Sequence, residues 1–199
     1  MADVEFWFEF ASTYSYPAAM RVAKIAEAHG VHLVWRPFLL GPVFFKQGLK
    51  DSPFNVFEQK GRYMWRDLER ITAADGLPFK KPSLFPQNGL LASRVTLVGL
   101  KEGWGPDFVR SVYQANFAKG AVISDESVLS DLLVGLGQDG ARVLQEATSP
   151  EIKDALKAQT ELAWEKGLFG APSFTVGDEL FWGNDRMEAA MTWARDAHA

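Results

Sequence analysis

The first apolar run, VEFWFEF at residues 4–10, is too short and too aromatic for a helix and reads as a largely buried strand. Behind it Ala18, Ala19, Val22, Ile25 and Ala26 recur at helical spacing across residues 15–29, and Gly30 supplies a C-terminal stop. A second apolar run at 31–35, closed by Pro37, predicts a second strand. Strand, helix and strand in so short a span predict a βαβ unit with parallel strands, because the helix carries the chain back over the sheet. From about residue 56 to 167 the strand period disappears and helical spacing takes over, predicting helices at 57–74, 90–102, 106–118, 126–136, 141–147 and 151–166. Ser149-Pro150-Glu151 combines an N-cap, a first-turn proline and an acid; Ser124-Asp125-Glu126 does so less strictly. The stretch GLPFKKPSLFPQNG between the first two of these helices resists regular structure. After Gly167 short strands are predicted at 173–176 and 179–182 around the hairpin signal Gly177-Asp178, then a helix at 184–194 with Asn184 as its N-cap.

The order βαβ, helices, ββα predicts an α/β fold in which residues 1–40 and 168–199 form one discontinuous domain around a helical insertion, 41–167. The 199 residues are 47% hydrophobic and 13% aromatic, enough for a packed core. A net charge of −4 without any Lys/Arg run argues against nucleic acid or an anionic membrane as partner. Small molecules or other subunits are expected instead. With no cysteine there is no disulfide, no thiolate metal site and no thiol redox chemistry of the chain's own. Met-Ala-Asp runs directly into the first strand without a basic leader or a cleavage site, and no apolar stretch reaches spanning length. A soluble, cytoplasmic protein is expected.

The motif GLGQDG at 135–140 has the spacing of a dinucleotide fingerprint, but Val128, Leu129, Leu132, Leu133 and Leu136 before it follow a helical period, so a helix end and a turn are expected. His29 and His32 lie at a helix-to-strand turn and His198 in the tail, too scattered for a metal centre or a catalytic triad. In FEFASTYSYP, residues 8–17, Ser12 stands where a strand tip meets a helix N-terminus, a position that favours bound negative charge. By itself such a serine is at least as readily an N-cap, worth about 1 kcal/mol. FGAPSF at 169–174 is a candidate cis-proline turn or an ordinary strand start, and WGNDRM at 182–187 puts Asn184 and Asp185 at a helix start.

Taken together, the polar strand tip, the long helical insertion, GAPSF and the terminal ββα resemble a thioredoxin-like fold of the DsbA-like type. Within it FEFASTYSYPAA, KGRYMWRDLER, GLPF, FPQN and FWGNDRM resemble the 2-hydroxychromene-2-carboxylate isomerase family, related to kappa-class glutathione transferases. DsbA-like oxidoreductases carry Cys-x-x-Cys at this tip; here Ser12-Thr13-Tyr14-Ser15 occupies the four places. The resemblance implies a glutathione cofactor whose thiolate is stabilised by Ser12. It implies interconversion of 2-hydroxychromene-2-carboxylate and trans-o-hydroxybenzylidenepyruvate in aromatic degradation, by a homodimer. It also implies that the Ala171 backbone beside Pro172 pairs with the glutathione backbone and that Asn184 and Asp185 take its γ-glutamyl end. Asp51 in Asp51-Ser52-Pro53 replaces the Asn of an Asn-x-Pro that contacts ligand in related sequences, and an ionised acid cannot donate there. Thr13 likewise replaces a common proline. Lys60 is a candidate for the substrate carboxylate, while Tyr63, Trp65, Phe44 and Phe45 are candidates for an aromatic pocket with the core as their alternative place. The alternatives are a kappa-like transferase acting on another electrophile and a non-catalytic thioredoxin-like module.

Overall fold

The structure, a computed structural model, describes residues 3–197; His198 lies outside them. Four strands form one mixed sheet in the order β2-β1-β3-β4. β1 (Asp3–Phe8) and β2 (His32–Pro37) are parallel, joined by α1 (Ser15–His29), as the early periodicity predicts. β3 (Ser173–Val176) and β4 (Glu179–Trp182) pair as the expected hairpin, and β3 lies antiparallel to β1.

Alternation along β1 builds a core on each face of the sheet. Phe6 and Phe8 face one side, where they join Tyr16 of α1, Val95 of α5 (Leu90–Glu102), Phe108 and Tyr113 of α6 (Gly105–Gln114), and Met191 of α10 (Met187–Asp196). Trp7 faces the other side and packs with Phe38, with Val43 of α2 (Leu40–Lys46) and with Ala163 of α9 (Pro150–Glu165). The strand is therefore sandwiched at its C-terminal half, which explains the consecutive aromatics Phe6, Trp7 and Phe8.

The first strand stops at Phe8, two residues before the apolar run ends. Beyond it the backbone finds other partners: Glu9 O accepts from Ser12 N–H at 2.9 Å and from Tyr113 Oη at 2.8 Å, and Phe10 O accepts from Asn116 Nδ2 at 3.1 Å. Two short helices interrupt the stretch before residue 57, α2 and α3 (Pro53–Val56), and precede α4 (Glu58–Ala74). The helix expected at 106–118 is α6 followed by a π-helical turn, Ala115–Lys119, which gives Asn116 its inward position. α7 (Glu126–Gly135) and α8 (Gly140–Ala147) are separated by the turn expected from GLGQDG. Asn184 is not the cap of the last helix: a 3₁₀ turn, Asn184–Arg186, intervenes, and Asn184 Oδ1 accepts from Arg21 Nη2 at 2.9 Å instead.

Gly61 is where α4 and α3 touch, since a Cβ there would run into the carbonyl oxygen of Phe54. Gly61→Ala gains helix propensity worth up to about 1 kcal/mol, but the obstacle is backbone, so overpacking of about 1–3 kcal/mol wins. A lowered urea midpoint with an unchanged m-value is expected; equal or greater stability would contradict this packing.

Candidate active site

Where β1 ends, the chain turns through Glu9–Ser12 and enters α1, placing Ser12 beside the first turn of that helix. Its side chain is largely buried. Ser12 Oγ donates to the carbonyl of Ala171 at 2.8 Å and accepts, weakly at 3.3 Å, from Ser15 N–H. It thus caps α1 in part and at the same time ties the strand tip to the Gly170–Ala171 segment. The Ala171–Pro172 peptide is cis, the first of the two geometries open to the GAPSF motif; Phe85–Pro86 is cis as well.

Ser12 opens onto a cavity of about 1320 Å³. Ligand sites for one drug-sized molecule run from about 300 to 1,000 Å³, so this one has room for two small molecules side by side. One wall is Gly170, Ala171, Pro172, Trp182, Asn184 and Asp185. Gly183, at φ 116°, turns β4 into that wall, and its N–H donates to Pro172 O at 2.9 Å. Further lining comes from α2, α3 and α4, with Phe44, Phe45, Phe54, Lys60, Tyr63 and Asp67, and from Asn88 and Gly89.

Ser12, Ala171, Pro172, Asn184, Asp185, Asp51, Lys60, Tyr63 and Phe44 all line this one cavity. Trp65 does not: it turns off the cavity to pack against Phe79 and Phe85, with Lys81 Nζ 4.9 Å over its ring. Its place is the core alternative. Lys60 has no ion-pair partner among the described residues and its Nζ sits 4.9 Å over Phe57. Asp51 is engaged by its own loop, accepting from Ser52 N–H at 2.6 Å and from Asn55 Nδ2 at 3.0 Å. Asn184 is fixed by Arg21, which also pairs with Asp75 at 3.1 Å. Ala171 N–H donates to no group among the described residues, and Thr13 Oγ1, beside Ser12, is buried without a partner.

Three further wall residues, Tyr14, Asp67 and Glu9, are absent from the sequence-based candidates. Tyr14 Oη donates to Asp67 Oδ2 at 3.1 Å, and burial together with the Asp67 charge pushes the phenol up. Glu9, buried on the cavity wall with Oε2 accepting from Ala11 N–H at 2.9 Å, is pushed up to about 8, because desolvation outweighs its backbone hydrogen bonds. An acid inside an aromatic run was the available hint.

Among the described residues no helix is long and apolar enough to cross a membrane. Across its length the chain is similar to a 2-hydroxychromene-2-carboxylate isomerase of Pseudomonas putida, 29% identical over 94% of this chain and 93% of the relative. It is also similar to glutathione S-transferase kappa 2 of Caenorhabditis elegans, 26% identical over 92% of this chain and 88% of the relative. Among solved structures, a 2-hydroxychromene-2-carboxylate isomerase superposes with a TM-score of 0.87 at 27% identity, covering 98% of this chain and 97% of that one. The model of the DSBA-like thioredoxin domain matches residues 3–192, nearly the whole chain, and the protein belongs to that family.

Proposed function

We propose that this protein is a glutathione-dependent isomerase of small aromatic keto acids, interconverting 2-hydroxychromene-2-carboxylate and trans-o-hydroxybenzylidenepyruvate. The observation that carries the reading is the placement of Ser12, at the tip of β1 and the start of α1, on one cavity with Ala171, Asn184 and Asp185. The similarity to named isomerases over most of the chain supports it. Bound glutathione supplies a thiolate able to add to the conjugated alkene, permit rotation and leave unchanged.

The chain's residues fit that cofactor. The free N–H of Ala171, at the start of β3, is available to a peptide laid alongside as an added strand. Asn184, whose Oδ1 is held by Arg21 so that its Nδ2 is left to donate, and Asp185 offer a donor and a charge to an amino-acid end. Ser12 lies close to the α1 N-terminus, whose dipole favours a nearby anion. The hydroxyl has a single proton, so a sulfur must win it from Ala171 O. Charge decides: a hydrogen bond to an anion is about twice as strong as one to a neutral carbonyl. In the same cavity Lys60 attracts the substrate carboxylate, with Tyr63 and Phe44 beside the aromatic ring. We place the enzyme in a reducing, glutathione-containing cytoplasm and, by the family resemblance, as a homodimer.

The similarity to kappa-class transferases favours a second reading, conjugation of glutathione to another electrophile in the same cavity. Calorimetric titration with glutathione, followed by ultraviolet absorbance, tests the common step. Saturable binding with a thiolate band that Ser12→Ala abolishes is expected, and an absence of binding at millimolar glutathione would sink both readings. Recovery of free glutathione after turnover of the chromene identifies the isomerase; stoichiometric consumption identifies the transferase.

A further inference from the structure

Glu9 has no part in the chemistry just described, yet its placement is unusual. It lies three residues before Ser12, on the cavity wall, and is 6% exposed. Its Oε2 accepts from Ala11 N–H, and the Ser12 N–H, bonded at 2.9 Å to the Glu9 carbonyl, also lies near the carboxyl, while Oε1 takes no hydrogen bond of ordinary geometry among the described residues. Oε1 lies beside Gly89, where even a Cβ would come within 3.0 Å of it. The groups packed around it are Tyr113 from α6, whose hydroxyl donates to the Glu9 carbonyl, and Gly89 from the loop before α5; Tyr113 is the one that titrates, and burial and the nearby Glu9 push its phenol well up. No Lys, Arg or His among the described residues forms an ion pair with Glu9. A carboxyl withdrawn from water without a cation keeps its proton, since burying an unpaired charge costs several kcal/mol or more.

An un-ionised carboxyl with one oxygen already satisfied as an acceptor has a free O–H. In this molecule the cavity is the open side on which that O–H can find an acceptor. We propose that Glu9 is a second catalytic residue, donating a hydrogen bond from its neutral carboxyl to the keto oxygen of a conjugated keto-acid substrate as electron density moves onto that oxygen. The inference rests on the isomerase reading for its substrate class. The carboxyl keeps its proton throughout, so the step leaves no proton to be accounted for, and a preorganised donor of this kind is worth about 100- to 1,000-fold in turnover. The role requires the acid form, and the pH at which burial allows Glu9 to ionise, about 8, sets where it fails.

Infrared spectroscopy of the free protein tests the protonation state without turnover. A protonated-carboxyl band is expected at pH 7, missing from Glu9→Gln, and lowered in frequency when trans-o-hydroxybenzylidenepyruvate is added without glutathione. Kinetics test the role. Wild-type turnover is expected to decline above about pH 8, as the donor is lost. In Glu9→Gln, whose amide still donates but does not titrate, that decline is expected to vanish and turnover at pH 7 to stay within tenfold. Glu9→Leu, which cannot donate, is expected to lose at least 100-fold in kcat while binding glutathione within threefold of wild type. No carboxyl band at pH 7, a band indifferent to the keto acid, or superimposable pH profiles for wild type and Glu9→Gln would each overturn the proposal. Failure of the isomerase reading appears separately, as a wild-type protein that binds no glutathione or that consumes it stoichiometrically.

Discussion

Ser12→Ala is expected to lower kcat at neutral pH by about 10- to 100-fold while leaving glutathione affinity within a few-fold. A hydrogen bond to a charged acceptor is worth roughly 1.5–3 kcal/mol, and about 1.4 kcal/mol is tenfold in rate. The lower half of that range applies, because the hydroxyl gives up its 2.8 Å bond to Ala171 O when it turns to a sulfur. The same loss moves the acidic limb of the pH–rate profile upward by about one to two units, towards the free thiol value of about 8.5. Ser12→Cys is the useful control: a thiol is a weak donor, so activity should fall and the acidic limb should move. A Ser12→Cys enzyme with full activity and an unshifted profile would remove the hydroxyl from the mechanism. Affinity is retained because the groups proposed to hold the peptide, Ala171 N–H, Asn184 and Asp185, are not removed by the substitution.

What makes the elements around Ser12 legible is local, whereas the roles of Ser12, Ala171, Asn184 and Asp185 come from the family resemblance. The run 4–10, the helical spacing of 15–29 and Gly30 are each set by neighbouring residues, and both βαβ and ββα follow from them. The first strand ended early because a distant element decides it: Tyr113 and Asn116 take the carbonyls of Glu9 and Phe10, leaving no ladder to continue. α2 and α3 have no sequence signal because seven and four residues carry too little period to register, and Gly41, Pro42 and Pro53 argue against helix on propensity alone. Trp65 and Tyr63 share one helix two residues apart and therefore face different ways, one into Phe79 and Phe85 and the other towards the cavity. Asn184 was read as a cap from its residue type, whereas Arg21, distant in sequence, claims its side chain. For the strand end and for Asn184 the difference lies in a long-range partner that a single segment does not reveal.

Glu9 should also leave its mark on stability. Its proton affinity is raised from that of an ordinary glutamate, 4.5, to about 8 in the folded protein. The folded state therefore holds this proton over a range in which the unfolded state has released it. Its contribution to stability is fully present below pH 4.5, is lost progressively as pH rises and is exhausted above about 8. Each pH unit of raised affinity is worth about 1.4 kcal/mol, so the wild type should lose on the order of 3 to 5 kcal/mol between pH 5 and 9 relative to Glu9→Gln. Glu5 does not mask this slope. Its affinity is lowered by hydrogen bonds from Thr175 and Arg36 and by the charges of Arg36 and Lys166, which together overcome its partial burial, so its contribution is already complete above the ordinary glutamate range. Urea denaturation of both proteins at pH 5, 7 and 9 decides the matter, with the difference in free energy as the quantity read. Curves that diverge towards alkaline pH establish a neutral acid beneath the site. Parallel curves would mean that Glu9 is already ionised at neutral pH, and with that its O–H, and its role as donor, would be gone.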